Sequence, residues 1–410
     1  MKGNVIVGQS GGPTAAINSS LAGVYRTAID RGAKKVYGMR HGIQGLLNED
    51  YIDLSEHIQT DLDVELLKRT PAAYLGSCRY KLPEIHEDIA TFEKIFAILD
   101  KLEIECFIYI GGNDSMDTVL KLSHYAEKIG SDIRIIGIPK TIDNDLCMTD
   151  HTPGFGSAAK YVASSILEIA HDTFIYSVKS VTIVEIMGRD AGWLTASSAL
   201  ARNDYNSAPH LIYFPEVAFD KDTFIEDVKS QLEKRDNVII AVSEGIRDKE
   251  GNYISATTAT NDEFGHSQLS GTGKALEYLV KDSIGVKVRS VELNVLQRCA
   301  AHLSSLTDIE ESFSLGSHAV TFATEGKTKC MLTLNRTSDS PYQITIGTSL
   351  IDQIANEAKS IPREWINAAG NDITSELYNY MAPLIVGEPT VTYKDGLPVY
   401  LPVSHLDSSK

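Results

Sequence analysis

The sequence predicts an α/β fold with mainly parallel strands, and three observations lead to this prediction. Continuous Val and Ile runs such as VIVG at residues 5–8 lack the alternation that is typical of half-buried strands. Stretches with apolar residues at helical spacing separate these runs. A chain of 410 residues is long enough for two or three domains with hydrophobic cores.

The first of these runs shows the repeating unit. VIVG is followed by the glycine turn QSGGPT and by a stretch rich in Ala and Leu, which together predict a strand, a turn and a helix. Further buried strands are predicted for the runs CFIYIG, IRIIGI, SVTIVEI and NVIIAV. Since ligands bind at the carboxyl ends of strands in open α/β sheets, the polar residues after these runs form the candidate site.

Charge and hydropathy exclude two classes of partner. A formal net charge of −17 argues against nucleic acid, which is bound by neutralising its phosphates with Lys and Arg. No stretch approaches the ~18 uninterrupted apolar residues that a membrane-spanning helix needs. The start, MKGNVIVGQSGG, lacks the regions of a secretory signal, so we expect a cytoplasmic protein.

The first motif is a glycine-rich turn, Gly8 to Thr14, at a strand-to-helix junction. Gly11 and Gly12 let an anion approach the backbone N–H groups there, although a tight turn without function explains the same residues equally well. A P-loop is excluded, because the Gly-Lys pair at residues 273–274 is followed by alanine, and neither this pair nor the one at residues 326–327 has a glycine five residues before its own glycine.

The second motif, YIGGNDS at residues 109–115, again follows an apolar run. Its glycines would admit phosphate, and the side chain of Asn113 or Asp114 could reach a divalent cation. These polar residues also suit the start of a helix, and both roles are compatible.

The third motif, PKTIDND at residues 139–145, is the strongest. A solvated turn would explain Asp143 and Asp145, yet it does not explain Lys140 and Thr141 directly after a buried strand. A lysine beside an aspartate favours the ionised carboxylate, which a base that accepts a hydroxyl proton requires.

Two shorter motifs follow later strands. Arg189, placed after a glycine, could grip a phosphate with two hydrogen bonds, and Glu244 could accept sugar hydroxyls. Each of them taken singly is better explained by a structural role. Arg289 and Arg298 lie in VRSVELNVLQR, where surface charge is the simpler explanation.

Taken in this order, the motifs resemble the phosphofructokinase family from Val5 to roughly Asn367. The resemblance implies two stacked Rossmann-like domains with the active site in the cleft between them, assembled as a homodimer or homotetramer. Residues 1–150 plus about 290–370 would bind the donor, about 151–289 would bind fructose 6-phosphate, and 371–410 would form a C-terminal extension.

The resemblance also implies a role for each matching residue. Asp143 corresponds to the catalytic base, supported by Lys140, Thr141, Asp145 and Arg189. Fructose 6-phosphate contacts correspond to Thr141, Ile142, Asp143, Met187, Gly188, Arg189, Glu244, Arg289 and Arg298. Of these, Arg289 and Arg298 correspond to arginines that hold the 6-phosphate, one of which some relatives donate across a subunit interface. Donor phosphates correspond to Gly11, Gly12, Arg79 and Lys140, and Mg²⁺ to Asn113, Asp114 and Asp145.

Two positions predict the phosphoryl donor. Relatives that use ATP read Gly-Gly-Asp-Gly-Ser and Pro-Gly-Thr-Ile-Asp-Asn-Asp, whereas Asp114 and Lys140 replace the variable glycines here. A carboxylate would exclude the nucleotide by bulk and charge, and a lysine would supply a cation to pyrophosphate. The chain also departs from the pattern, with Asn113 in place of a metal-binding aspartate and Val295 in place of a histidine.

Three alternatives remain at this point. An ATP-dependent sugar-phosphate kinase would keep every motif except the two donor positions. A non-catalytic regulatory subunit would have lost the base or the sugar-binding arginines. A dinucleotide-binding protein would carry GxGxxG after its first strand, and this chain does not.

Overall fold

The chain is described by a computed structural model for residues 1, 3–255, 260–261, 267–268, 271–354 and 358–403. The strands are β1 (Asn4–Gln9), β2 (Val36–Met39), β3 (Tyr51–Asp53), β4 (Ile104–Gly111), β5 (Arg134–Pro139), β6 (Ser180–Ile186), β7 (Leu211–Tyr213), β8 (Asn237–Ser243), β9 (Thr260–Asn261), β10 (Ser267–Gln268), β11 (Lys287–Glu292), β12 (Cys330–Asp339), β13 (Tyr342–Leu350), β14 (Tyr393–Lys394) and β15 (Leu397–Pro398). The α-helices are α1 (Ile17–Asp30), α2 (Gly42–Leu47), α3 (Asp61–Arg69), α4 (Ile89–Lys101), α5 (Asn113–Ile129), α6 (Phe155–Phe174), α7 (Trp193–Ser197), α8 (Lys221–Lys234), α9 (Thr272–Ile284), α10 (Leu296–Cys299), α11 (Leu306–Thr324) and α12 (Ser375–Met381).

The larger sheet has seven strands in the order β13-β12-β5-β4-β1-β2-β3. Its central strands run parallel, whereas the outer strands β3 and β13 are antiparallel to their neighbours. Val5 and Val7 pack into the core on one face of this sheet, and Ile6 packs into the core on the other. Both faces are therefore covered, which explains why β1 reads as a continuous apolar run.

The second sheet has four parallel strands in the order β11-β6-β8-β7. Val181 and Ile183 of β6 pack on one face, and Val184 and Ile186 pack on the other. Strand β11 lies at the edge, and its side chains are exposed or only partly buried. The predicted α/β fold with mainly parallel sheets is confirmed.

The chain passes from one sheet to the other and back. The larger sheet takes its strands from residues 4–139 and 330–350, and the second sheet takes its strands from residues 180–292. The C-terminal segment packs against both, since Leu377 and Met381 join the core of the second sheet and Leu401 joins that of the first. The predicted extension continues to residue 410, and residues 404–410 lie outside the described residues.

Across the described ranges, none of the helices combines the length and the apolar composition needed to cross a bilayer.

Candidate active site

Three neighbouring strands of the larger sheet bring the first three motifs together. Gln9 at the end of β1 pairs with Ile110 of β4, and Gly111 of β4 pairs with Pro139 at the end of β5. The backbone N–H of Lys140 continues this ladder by donating to the carbonyl of Gly111 at 2.9 Å. Because the strands are parallel, their carboxyl ends and the adjoining motifs lie at one edge of the sheet.

The second sheet positions the two shorter motifs in the same way. Ile186 of β6 pairs with Ser243 of β8, and the Ser243 hydroxyl donates to the carbonyl of Gly188 at 2.6 Å. A Cβ atom at Gly245 would lie 1.8 Å from the carbonyl oxygen of Arg189, so only glycine allows these two turns to pack together. Arg189 and Glu244 are thereby held side by side.

The two edges enclose a cavity of about 340 Å³. Nearly all of the residues proposed from the sequence line it: Gly11, Gly12, Arg79, Asn113, Asp114, Lys140, Thr141, Ile142, Asp143, Asp145, Met187, Arg189, Glu244 and Arg298. Gly188 lies behind this lining, where its backbone N–H is 3.4 Å from Glu244 Oε1. Motifs up to 287 residues apart in sequence therefore form one site.

The glycine turn of the first motif faces two cations. Gly11 has a φ of 76°, in the left-handed region that glycine adopts without strain. A Cβ atom at Gly11 would lie 3.3 Å from Lys140 Nζ, and one at Gly12 would lie 3.6 Å from Arg298 Nη1. Arg298, which the sequence assigned to the sugar phosphate, therefore lies against the predicted donor turn.

Lys140 is a buried lysine whose side chain is only 2% exposed. Burial lowers the pKa of its ammonium group to about 8, and the nearby positive charge of Arg298 contributes to this shift. Asp143 acts in the opposite direction by favouring the charged form. A bound phosphate anion would restore the preference for the charged ammonium.

The carboxyl groups of the cavity differ from the sequence prediction. The sequence predicts that Lys140 keeps Asp143 readily ionised, and Lys140 does lower the pKa of that group, as does Arg189. Burial in the cleft is the larger effect, so the pKa of Asp143 is raised. Burial likewise raises the pKa of Asp145 and of Glu244, each to about 7, and the proximity of Asp143 adds to both shifts.

Two buried polar atoms here have no hydrogen-bond partner within the described part of the chain: Asn113 Oδ1 and Arg189 Nε. An unpaired buried acceptor and donor are costly unless a ligand satisfies them. Asn113 lines the same cavity as Asp114 and Asp145, and side-chain oxygens of these residue types suit Mg²⁺.

Among the described residues, no group of three His, Cys, Asp or Glu side chains forms a cage for a metal ion. Mg²⁺ does not need such a cage, because it commonly keeps several waters and binds through one or two carboxylates plus substrate phosphates. The three predicted ligands therefore fit an ion that is shared with a phosphate.

Arg289 is the predicted site residue that the structure separates from the others. It lies on the edge strand β11, where its Nη2 donates to Asp172 Oδ2 and Thr173 Oγ1, each at 2.8 Å. Its partner across the sheet is Thr182, four residues before the carboxyl end of β6. The side chain cannot therefore contribute to the cavity of its own chain.

Sequence reasoning missed several residues that line the cavity. Tyr80 directly follows Arg79, and Asp190 directly follows Arg189, so each is the sequence neighbour of a predicted site residue. Asp190 forms an ion pair with Arg247 at 2.5 Å. The signal that could have found Asp190 is its charge, directly beside a proposed phosphate-binding arginine.

Comparison with known proteins agrees with this arrangement. A family profile described as Phosphofructokinase matches residues 4–323. The chain belongs to the phosphofructokinase family. It is 40% identical to the pyrophosphate--fructose 6-phosphate 1-phosphotransferase of Xanthomonas campestris over 100% of this chain and 98% of that protein. The same description applies to a relative from Halomonas elongata, which is 40% identical over 96% of this chain and 94% of its own.

A solved structure resembles the whole fold. The pyrophosphate-dependent phosphofructokinase of Nitrosospira multiformis superposes with a TM-score of 0.88 at 38% identity, covering 97% of this chain and 95% of that one. Family membership and the family's α/β fold, both predicted from the motifs, are thus confirmed.

Proposed function

We propose that this phosphofructokinase transfers a phosphoryl group reversibly from pyrophosphate to the 1-hydroxyl of fructose 6-phosphate, giving fructose 1,6-bisphosphate and phosphate. The observation that carries the donor assignment is that Asp114 and Lys140 both line the cavity, at the positions where ATP-using relatives have glycine. The descriptions of relatives that match nearly the full chain support the same donor. We place the reaction in the cytoplasm, in glycolysis and gluconeogenesis.

The donor half of the site is the glycine turn with its cations. Gly11 and Gly12 leave room for phosphate oxygens beside the backbone, and Lys140 and Arg79 supply positive charge. Asp114 stands in the first turn of α5, where the helix dipole stabilises its carboxylate. Its bulk and charge there oppose a nucleotide more than they oppose a small inorganic donor.

Asp143 is the general base in this mechanism. It takes the proton from the sugar 1-hydroxyl, whose oxygen attacks the nearer phosphorus of pyrophosphate in line, and phosphate leaves. A pKa raised by burial makes the carboxylate a stronger base than a solvated aspartate. Lys140 and Arg189 stabilise the charge that develops on the transferred group, with Thr141 in contact with it.

Mg²⁺ held by Asn113, Asp114 and Asp145 would supply charge neutralisation on the phosphates. The unpaired Asn113 Oδ1 supports this assignment.

The sugar half of the site consists of three arginines and four other residues: Arg189, Arg289, Arg298, Ile142, Met187, Gly188 and Glu244. Glu244 accepts sugar hydroxyls, Arg298 and Arg289 are assigned to the 6-phosphate, and the unpaired Nε of Arg189 is assigned to the phosphoryl group that is transferred. Arg289 can bind fructose 6-phosphate only if its side chain reaches the cavity of a second subunit. The half-exposed position of its side chain on the edge strand β11 is compatible with a homodimer or homotetramer in which it does so.

Two alternatives to this function, an ATP-dependent kinase and a non-catalytic regulatory subunit, make different predictions. In an ATP-dependent enzyme, adenosine would have to lie against Asp114 and Lys140. In a non-catalytic regulatory subunit, the base or the cations would be missing, yet Asp143, Asp145, Arg189 and Glu244 are assembled in one cavity.

A coupled assay of the purified chain with pyrophosphate and with ATP, each at saturating Mg²⁺ and fructose 6-phosphate, tests the proposal. We expect turnover with pyrophosphate and at most a trace with ATP. A preference for ATP would overturn the donor assignment, and the absence of turnover with both donors would overturn the function.

A further inference from the structure

The loop that carries the proposed base has a residue with unusual backbone conformation. Asn144, between Asp143 and Asp145, has a φ of 55° and is completely buried. A non-glycine residue in the left-handed region persists only when its surroundings hold it there. The flanking aspartates face the cavity while Asn144 points away from it. Whatever holds Asn144 therefore sets where both carboxylates stand.

Both ends of the Asn144 amide have a partner behind the loop. Asn144 Oδ1 accepts a hydrogen bond from the backbone N–H of Thr152 at 3.0 Å. Asn144 Nδ2 donates to the hydroxyl of Tyr380 at 2.9 Å. Thr152 belongs to the same loop, whereas Tyr380 lies 236 residues away, in the C-terminal helix α12. Tyr380 is thus the external anchor of the amide.

Tyr380 is itself fixed on several sides. Its hydroxyl donates to the carbonyl of Asp150 at 2.6 Å, and its ring packs against those of Trp193 and Trp365 with centroids 5.3 and 5.5 Å away. The guanidinium of Arg336 lies over the ring and donates to the backbone carbonyl of Tyr380 at 3.0 Å. The hydroxyl oxygen is consequently a fixed acceptor for Asn144.

A second contact from the C-terminal part of the chain holds Asp145, the residue that follows Asn144. The backbone N–H of Lys359 donates to the carbonyl of Asp145 at 2.7 Å. Lys359 Nζ donates to the carbonyl of Asp150 at 2.7 Å, which is the oxygen that the Tyr380 hydroxyl also reaches. One polar cluster behind the cavity therefore links Lys359 and Tyr380 to Asn144 and to the residues that follow it.

We propose that Tyr380 is a positioning residue for phosphoryl transfer, which acts by holding Asn144 and thereby fixing Asp143 and Asp145 at the reacting atoms. The C-terminal helix α12 would then affect the reaction although Tyr380 does not line the cavity. The inference rests on the proposed phosphoryl transfer. It requires that substrates still bind when Tyr380 is altered, because Tyr380 does not line the cavity.

The test is Tyr380→Phe, which removes one oxygen and keeps the aromatic packing against Trp193 and Trp365. We expect kcat to fall about tenfold or more, since misplacement of catalytic groups by ~1 Å can cost ~10²-fold. The KM values for both substrates should change by less than about threefold. Tyr378→Phe is the matched control on the same helix, because Tyr378 is 37% exposed, and it should leave kcat unchanged.

A double-mutant cycle separates positioning from general stability. Asn144→Gly removes the amide while tolerating the positive φ, and on that background Tyr380→Phe should cost less than about twofold in kcat. If the fold losses in kcat of the two single variants multiply in the double variant, the two residues act independently and the proposal is overturned. A Tyr380→Phe enzyme that melts earlier but keeps full kcat per folded molecule would also overturn it.

Wild-type turnover is measured first, so that the two proposals fail separately. If the wild-type enzyme uses ATP instead of pyrophosphate, the donor assignment fails and the variants are compared with ATP, because the loop serves either donor. Inactivity of the wild type with both donors would overturn the function and this inference together.

Discussion

Lys140 Nζ donates a hydrogen bond to the carbonyl oxygen of Gly12 at 2.5 Å, and so joins the third motif to the first. The contact places a buried cation directly over the glycine turn that is proposed to cradle the donor. A glycine at position 140 would leave that space open.

Donor choice should therefore change when this lysine and Asp114 are replaced together. In Asp114→Gly with Lys140→Gly, kcat/KM for pyrophosphate should fall at least ~10-fold, because the cation over the donor is lost, while ATP turnover rises. Steady-state assays with both donors measure this. Lys140→Met is the control that keeps the bulk and removes the charge, and it should weaken pyrophosphate use without admitting ATP. Unchanged donor preference in the double variant would contradict the assignment.

Loss of the proposed base should reduce turnover strongly. Asp143→Asn keeps the size of the side chain and removes its basicity, so kcat should fall at least ~10², the low end expected for a general base. A coupled assay at saturating concentrations of both substrates measures kcat. Asp132→Asn, near the opposite end of strand β5, is the matched control. An Asp143→Asn enzyme with near-normal kcat would remove Asp143 from this role.

The two arginines should complement each other between subunits. Arg298→Ala and Arg289→Ala should each raise the KM for fructose 6-phosphate about tenfold or more, because each removes a phosphate contact. Co-refolded mixtures of the two variants should regain activity, since some sites then receive Arg298 from one chain and Arg289 from another. Mixtures with only the average activity of the parents would show that Arg289 does not act across an interface. A raised KM for pyrophosphate in Arg298→Ala would assign that arginine to the donor half.

The contribution of His151 to stability should be lost at alkaline pH. This buried histidine bridges Asp150 Oδ2 at 2.8 Å and Glu311 Oε2 at 2.7 Å, and these carboxylates raise its pKa to about 9 against an opposing effect of burial. A pKa raised on folding contributes stability that is fully present below the unfolded value of about 6.5 and is lost as pH rises through about 9. The contribution at stake is roughly 3 kcal/mol.

Urea unfolding of the wild type between pH 6.5 and 9.5 measures this loss. His151→Gln cannot titrate, so the variant should be less stable than the wild type at pH 6.5, and the difference between the two should shrink as pH rises to 9.5. His124→Gln, which alters an exposed histidine paired with Asp352, is the control and should keep the wild-type decline. Equal pH dependence in wild type and His151→Gln would show that His151 is not charged in the folded protein.

Local patterns were sufficient to predict which motifs lie together around the cavity. Each of the first three motifs comes directly after an apolar run, and neighbouring parallel strands place the residues at their carboxyl ends along a common edge of the sheet. The prediction failed where the outcome depended on burial, as with Asp143, whose neighbouring cations are outweighed by removal from water. The prediction also did not foresee that Arg289 lies away from the cavity of its own chain, because a strand's sequence does not reveal which of its residues reach the carboxyl end of the sheet.

The sequence by itself determined the family, the parallel α/β architecture and the residues that could do the chemistry, because those features depend on short stretches of chain and their order. Tertiary structure alone decided that Lys140 lies over Gly12, that Arg298 faces the same turn and that Tyr380 stands behind Asn144. These contacts join residues 128 to 286 positions apart, and only the packing of the two sheets and the C-terminal segment brings them within hydrogen-bonding or contact distance.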